Sequence, residues 1–266
     1  MATLTREFVR VDLEDGIATV TFERPPVNAI EAESNRQLRE TFEELGRNRD
    51  VRVVIFTAAG TRAFIAGADI KARVDQGSAD GEIDPIYGLD SGRGGREAFF
   101  SVYDCAVPVI GAINGAAIGA GLVYAAVCDV LIASENARFA VTEINVGLLG
   151  AGSFLQRMVG PYKARELFFS GEFLSAEDMC RFGAVKEVVP HDQLLPAAKD
   201  LAQRLAAKSP IAIRLAKEAL NRVEFMPLKD AYRTEQDYTN RLRGFEDSRE
   251  AMRAFAEKRP PEWKWR

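Results

Sequence analysis

Residues 107–128 read Val-Pro-Val-Ile-Gly-Ala-Ile-Asn-Gly-Ala-Ala-Ile-Gly-Ala-Gly-Leu-Val-Tyr-Ala-Ala-Val-Cys, 22 positions without a charge. Length alone would let such a run cross a bilayer, which takes roughly 20 apolar residues in helical form. Its composition argues otherwise. Pro108, Asn114 and the glycines at 111, 115, 119 and 121 interrupt it, and it lacks the Leu/Ile-rich stretch and the flanking Lys/Arg of a spanning helix. It reads as a buried strand, a tight glycine turn and a buried helix. A strand feeding a helix is the unit from which mostly parallel sheets are built, and the sequence on either side repeats it.

Upstream, Phe8 to Leu13 and Ile17 to Phe22 are alternating, β-branched runs split by Asp15-Gly16, a hairpin signal. Glu31 to Asn48 carries Leu38, Phe42 and Leu45 at helical spacing, and Val51 to Thr57 is a short apolar run bounded by Gly60. That predicts a helix and then a buried strand. A helix around Arg96 to Cys105, the run Val107 to Ile113, a helix from about Gly119 and the run Val130 to Ala133 continue the alternation. Beyond Gly160 helices dominate: Lys163 to Phe169, Ala176 to Phe182, Asp192 to Ala207 and Ile211 to Val223, with one short strand at Val185 to Val189. Leu228 to Lys258 is charged, amphipathic and helical, closed by Pro260-Pro261. Such a tail is expected to pack on its own chain or on a neighbour. The polar, glycine-rich segment from Asp75 to Gly95 reads as a substrate-side lid.

Composition narrows the function. The chain has 266 residues with 47% hydrophobic and 28% charged content, enough for one sizeable core. A net charge of -4 speaks against binding nucleic acid, which wants a concentrated basic surface, and no helix is rich in lysine. Cys105, Cys128 and Cys180 are odd in number and widely spaced, so they read as reduced thiols. Met1 to Arg10 has no apolar secretory core, which places the protein in the cytoplasm. There is one histidine, His191, in a Val-Pro-His-Asp linker. A Ser-His-Asp hydrolase and a multi-histidine metal site are therefore close to excluded. Carboxylates and backbone dipoles are left to carry any chemistry.

Two glycine-rich turns sit where strands give way to helices. The first is Ala63-Phe64-Ile65-Ala66-Gly67-Ala68-Asp69-Ile70; the second is Ile113 to Gly121. Small residues there let a ligand reach backbone N–H groups, and together the turns suit an oxyanion hole. The spacing of Gly115, Gly119 and Gly121 is not that of a dinucleotide fingerprint, and no phosphate-binding Walker pattern is present. A third motif, Phe139-Ala140-Val141-Thr142-Glu143-Ile144-Asn145-Val146-Gly147-Leu148-Leu149-Gly150-Ala151-Gly152, sets one glutamate among apolar neighbours.

Taken in order, Arg24 to Ala29, Phe64 to Ile70, Asn114 to Asp129, Phe139 to Gly152 and Ala254 to Pro260 resemble the successive signatures of the crotonase superfamily, the enoyl-CoA hydratases and isomerases. The resemblance covers essentially the whole chain. It implies an α/β fold with a crotonase-like spiral of ββα units over residues 1–200, and a C-terminal helical region, 201–266, that builds homotrimers and often dimers of trimers. It implies an acyl-CoA substrate, with coenzyme A as part of the thioester and no permanently bound cofactor. Carried over by position, the oxyanion hole would be the backbone N–H groups of Ala68 and Ala120, and Glu143 would be the acid/base. The adenine and pantetheine would lie along Pro26, Val27 and Asn28 and along Ala66, Gly67, Ala68, Asp69 and Ile70. Lys258 and Arg259, within the chain or from a neighbouring subunit, would stand near phosphates.

The sequence departs from that pattern at one telling place. A typical hydratase of the family uses two glutamates, and the first position falls here on Val123. Tyr124 is one residue on, about 100° round a helix, and does not substitute. Losing one acid/base partner costs about 10² to 10⁴ in rate. A single base is enough to shuttle a proton between C2 and C4 of a 3-enoyl-CoA, which favours double-bond isomerisation. Hydration, or the hydratase-lyase chemistry of the hydroxycinnamoyl-CoA enzymes that Thr142 to Asn145 also resembles, is the alternative; a catalytically silent acyl-CoA-binding paralogue is the alternative from another class. Ala120, Gly150 and the Phe154-Leu155 pair stand where the family usually has glycine, proline and a glycine-threonine pair, and suggest a reshaped acyl pocket.

Overall fold

Asp15 and Gly16 adopt left-handed backbone angles, with φ of 49° and 78°. The alternating runs on either side accordingly pair as an antiparallel hairpin of β2 (Val9–Glu14) and β3 (Ile17–Phe22), with β1 (Ala2–Thr5) added to the outer edge of β2. The computed structural model describes residues 2–69, 90 and 92–266. After the hairpin come α1 (Ala32–Arg47), β4 (Val53–Ala58), β5 (Ala63–Ile65) and α2 (Arg93–Tyr103). Then follow β6 (Val109–Ile113), β7 (Ala116–Ile118) and α3 (Ala120–Ala126), and after them β8 (Val130–Ser134) and β9 (Arg138–Ala140). A one-turn 3₁₀ helix, Glu143–Val146, leads to α4 (Gly152–Val159), α5 (Pro161–Ser170), β10 (Leu174–Ser175), α6 (Ala176–Arg181) and β11 (Glu187–Val189). The chain ends in α7 (Leu194–Ala206), α8 (Pro210–Val223), α9 (Leu228–Arg243) and α10 (Glu246–Glu257).

The uncharged stretch at 107–128 thus folds as strand, turn, short strand and helix, as its glycines and Asn114 require. No helix among the described residues is long and apolar enough to cross a membrane. The strands form two sheets. The larger runs β1-β2-β3-β4-β6-β8-β11, parallel from β3 onward; the smaller runs β10-β9-β7-β5, parallel except for β10. The successive units β4-β5-α2, β6-β7-α3 and β8-β9-α4 each contribute one strand to each sheet and then a helix, which is the expected spiral.

Period-two alternation explains how the central strands of the larger sheet, β4 and β6, are buried on both faces. Val54 and Phe56 of β4 enter the core shared with the smaller sheet, α1 and α3, while Val53 and Ile55 meet Leu194, Ala198, Leu201 and Ala202 of α7. The residue boundary at 200/201 runs through that helix. Beyond it, α8 is fastened by Lys217, which is 5% exposed and donates to Asp129 at 2.8 Å and to the carbonyls of Val107 and Val102.

The sequence reading did not place β1, helix α4, the break in the tail or the individual strands of the smaller sheet, β5, β7, β9 and β10, which at two or three residues each are too short to show a period. Helix α4 follows a glycine-rich run that shows no helical period, and β1 is held only by pairing with β2. The tail from Leu228 forms two helices, because the chain turns at Gly244-Phe245. The expected lid lies outside the described residues at 75–89 and 91.

Candidate active site

Strand β5 ends at Ile65, and the next residues run beside the loop at 24–30. The N–H of Ala66 donates to Val27 O at 3.2 Å, Ile30 N–H to Gly67 O at 2.8 Å, and Asp69 N–H to Ile30 O at 2.9 Å. In a parallel bridge of this kind the residue between the two bonded groups turns its own N–H away. That residue is Ala68, so its N–H points away from Ile30. Gly67 has φ of 102°, and a Cβ there would come within 3.3 Å of Ile118 O.

The second turn is locked to the first. A Cβ added at Gly121 would stand 1.9 Å from Ile65 O, so only glycine lets α3 start there. Gly119 donates its N–H to Ala140 O at 2.9 Å and swings the chain at φ 54° into α3. Ala120 opens the helix, where an N–H has no acceptor within the helix itself. Both Ala68 and Ala120 are half-buried.

Glu143 opens the 3₁₀ turn after β9 and lays its carboxylate over the second glycine turn. A Cβ at Gly119 would lie 2.5 Å from Glu143 Oε1, and one at Gly150 3.4 Å from the same atom. Oε2 is buried without a hydrogen-bond partner among the described residues. A buried polar atom left unpaired is costly, and a native structure that keeps one usually keeps it for a ligand or a reaction. No second carboxylate comes from α3, whose sequence has none. Val123 is 4% exposed and packs in the core. Tyr124 is fully buried, donates its hydroxyl to Asn35 Oδ1 at 2.7 Å and meets Phe56 and Phe99 edge-on. Burial pushes its phenol well above the ordinary range, and its hydroxyl is committed to Asn35.

The residues expected to cradle a nucleotide behave differently from one another. Pro26 is exposed and Val27 half-buried beside Ala66. Asn28 is 5% exposed and fully engaged: its Oδ1 accepts from Arg24 N–H at 2.9 Å and its Nδ2 donates to Ala59 O and Ala63 O. It staples the 24–30 loop to the β4–β5 connection, so it shapes the strip instead of offering its amide to a ligand. Asp69 pairs with Arg24 at 3.1 Å, and Arg24 also reaches Glu31 and Ala29 O. Ile70 lies outside the described residues. Lys258 is exposed at the end of α10, its N–H bonded to Phe255 O, and among the described residues it makes no hydrogen bond or ion pair with either turn. A cleft of about 890 Å³ between α1 and α2, lined by Arg39, Glu43, Arg93, Arg96 and Glu97 among others, holds none of these residues.

An N–H from each turn and a carboxylate with free lone pairs would serve any reaction that moves a proton while charge gathers on a carbonyl oxygen. The family described as enoyl-CoA hydratase/isomerase matches residues 12–266 of the chain. A (7aS)-7a-methyl-1,5-dioxo-2,3,5,6,7,7a-hexahydro-1H-indene-carboxyl-CoA hydrolase from Rhodococcus jostii is 42% identical, over 86% of each chain. Carnitinyl-CoA dehydratase from Salmonella enteritidis is 35% identical over 94% of this chain and 95% of its own. The crystal structure of an enoyl-CoA hydratase from Bacillus anthracis superposes with a TM-score of 0.89 at 29% identity, covering 98% of this chain and 100% of that one.

Proposed function

The chain belongs to the enoyl-CoA hydratase/isomerase family, and from that premise we propose an acyl-CoA enzyme that works with one carboxylate. The thioester oxygen accepts from Ala68 N–H and Ala120 N–H, and Glu143 moves the proton. The observation that carries the reading is Glu143 Oε2, buried and without a hydrogen-bond partner among the described residues over the second glycine turn, with apolar Val123 in place of a second acid. On a 3-enoyl thioester, Glu143 takes a proton from C2, the charge spreads through the dienolate to the thioester oxygen, and the same carboxyl returns the proton to C4. Carboxylate and charge are restored, and the double bond has moved to C2–C3. Each N–H donor in such a hole is worth about 10² to 10³ in rate.

The coenzyme A portion lies along Pro26, Val27, Ala66, Gly67 and Asp69, over a strip that Asn28 holds in shape, and continues toward Ile70. Lys258 meets its phosphates from a neighbouring copy. A homotrimer, or two of them, is supported by the exposed apolar side chains of the C-terminal helices, Leu220, Leu228, Tyr232 and Phe255, which a lone chain would leave in water. Three free thiols support a cytoplasmic setting.

A second reading has a specific observation in its favour: the 42% identical relative is a CoA hydrolase. There the same carboxylate would direct water at a carbonyl, and the two N–H groups would hold the oxyanion. Incubation of the protein and its Glu143→Gln variant with 3-enoyl-, 2-enoyl- and 3-oxoacyl-CoA, in D₂O and in ¹⁸O-water, separates the two. Isomerisation gives the 2-enoyl thioester, lost in the variant, with deuterium at C4 only so far as the Glu143 carboxyl exchanges with solvent between its two transfers; hydrolysis puts ¹⁸O into a carboxylate product. Unchanged substrates, with equal acyl-CoA binding by both proteins, would leave a silent acyl-CoA-binding paralogue as the better account.

A further inference from the structure

Helix α3 is seven residues long, so where its axis lies depends on what holds its two ends. At the start, Gly119 N–H is bonded to Ala140 O and Gly121 is wedged against Ile65 O. At the finish every terminal carbonyl is taken. Val123 O accepts from Val127 N–H at 3.0 Å, Tyr124 O from the Cys128 thiol at 3.2 Å, Ala125 O from Cys128 N–H at 3.1 Å, and Ala126 O from the guanidinium of Arg157.

Arg157 belongs to α4, the helix that follows the Glu143 turn. Its Nε donates to Glu224 Oε1 at 2.5 Å, and its guanidinium carbon stands 5.3 Å from the centre of the Tyr103 ring. The Tyr103 hydroxyl donates to Glu224 Oε2 at 2.6 Å, and Asn221 Nδ2 donates to Tyr103 O at 2.7 Å. One side chain therefore joins the end of α3 to α4, to the last residue of α2 and to the C-terminal end of α8.

The geometry points to Arg157 as a positioning residue for the thioester-oxygen donor: by holding Ala126 O it sets the placement of α3 and hence of the Ala120 N–H, while Glu224 and Tyr103 hold Arg157. This rests on the reading that Ala120 N–H binds the thioester oxygen. Helix α3 is buried around Leu122, Val123, Tyr124 and Ala125, so hydrophobic packing keeps it folded without Arg157. Its exact placement is the quantity at stake, and a displacement of about 1 Å is enough to cost on the order of 10²-fold in rate. Lysine is no replacement, because a single ammonium does not present separate donors to Ala126 O and Glu224 as the planar guanidinium does.

The test uses the full chain and 4-(dimethylamino)cinnamoyl-CoA, a push–pull thioester whose absorption moves to the red when its carbonyl oxygen accepts hydrogen bonds. The wild type is expected to shift the probe. Arg157→Met should bind free coenzyme A within about twofold of the wild type yet lose most of the red shift, and should lower kcat about tenfold or more with KM within about twofold on any thioester turned over. Arg157→Lys and Glu224→Gln should fall between, and they decide the matter if Arg157→Met does not fold. Full red shift in all folded variants overturns the positioning role and leaves the acyl-CoA reading intact. A wild type that does not shift the probe overturns the acyl-CoA reading and this inference with it.

Discussion

Two stretches of this chain are held in place by opposite means. The turns at 65–68 and 118–121 are held backbone against backbone, with glycines where any side chain would collide. The last eight residues, 259–266, fold back along α10 and are held mainly by side chains, with backbone bonds only from Arg259 N–H to Ala254 O and from Asp247 N–H to Arg266 O among the described residues. Arg259 pairs with Glu250 and Glu257; the N–H groups of Lys264 and Trp265 donate to Asp247; Trp265 lies beside Arg52 and Arg214, with guanidinium carbons 5.9 and 5.3 Å from its ring centre. Close packing of backbone leaves no slack, whereas charges give a graded hold that water and protons weaken. The proposed donors are built in the first way, so they should fail abruptly, and the tail should loosen by degrees.

The sharpest way to break the comparison is at Gly121. Overpacking usually costs about 1–3 kcal/mol, when the ends of side chains can yield. Here the obstacle is the carbonyl oxygen of Ile65, 1.9 Å from an added Cβ, so Gly121→Ala is expected to exceed that range and to show as lost soluble protein or a collapsed urea midpoint. A wild-type midpoint would sink the account of interlocked turns. Gly119→Ala should be milder in stability and severe in activity. Holding alanine at φ 54° costs about 1–3 kcal/mol, and its Cβ meets the Glu143 carboxylate at 2.5 Å. A folded protein whose turnover drops at least about 10²-fold is the expectation; kcat read beside a thermal melt checks it, and unchanged turnover would separate Glu143 from the reaction.

The same contrast decides what was legible in the sequence. Small residues at 63–69 and 113–121 announce close backbone approach without any alignment, and a lone glutamate in an apolar motif stands out, so both turns and Glu143 could be read. Alternating runs and helical spacing led to a mostly parallel sheet with helices; the spiral of ββα units came from the resemblance to the family. Asn28 was assigned to the ligand strip because its motif sits there, yet its amide is used on Ala59 and Ala63, 31 and 35 residues away. No local pattern encodes such a contact. Arg157 is equally silent in sequence, since its partners Ala126 and Glu224 lie 31 and 67 residues off. The fold-back of the tail depends on pairings of this kind, and periodicity predicts only that its helices are amphipathic.

A smaller effect is expected at Asp247, which is 1% exposed and accepts from Lys264 N–H at 2.8 Å and Trp265 N–H at 3.0 Å. Asp247→Ala leaves both donors without their partner, worth about 1–3 kcal/mol where they stay buried, but the tail can move out to water and recover part of it. The chain has 2 tryptophans, Trp263 and Trp265, both in the tail, so tryptophan emission, excited selectively over tyrosine, reports this segment. A red-shifted emission with most of the secondary structure retained is expected; an unmoved spectrum would show that the tail is held without Asp247.

The smallest effect lies in acid. Hydrogen bonds from Arg259, and then from Glu262 N–H, lower the Glu250 carboxyl from 4.5 to about 2. A carboxyl depressed in the folded state stabilises it fully above the unfolded value and loses that contribution as pH falls through the folded one. Tryptophan emission should therefore hold steady from neutral pH down to about 5 and drift to the red between about 5 and 2. Glu250→Gln removes the group that titrates. Its emission at neutral pH should already be displaced toward the acid value, and the drift should shrink. If the variant instead keeps both the wild-type emission and the wild-type drift, the tail is held by its tryptophans packing on Arg52, Arg214 and Ala207. It would then resemble the glycine turns more than its charges suggest.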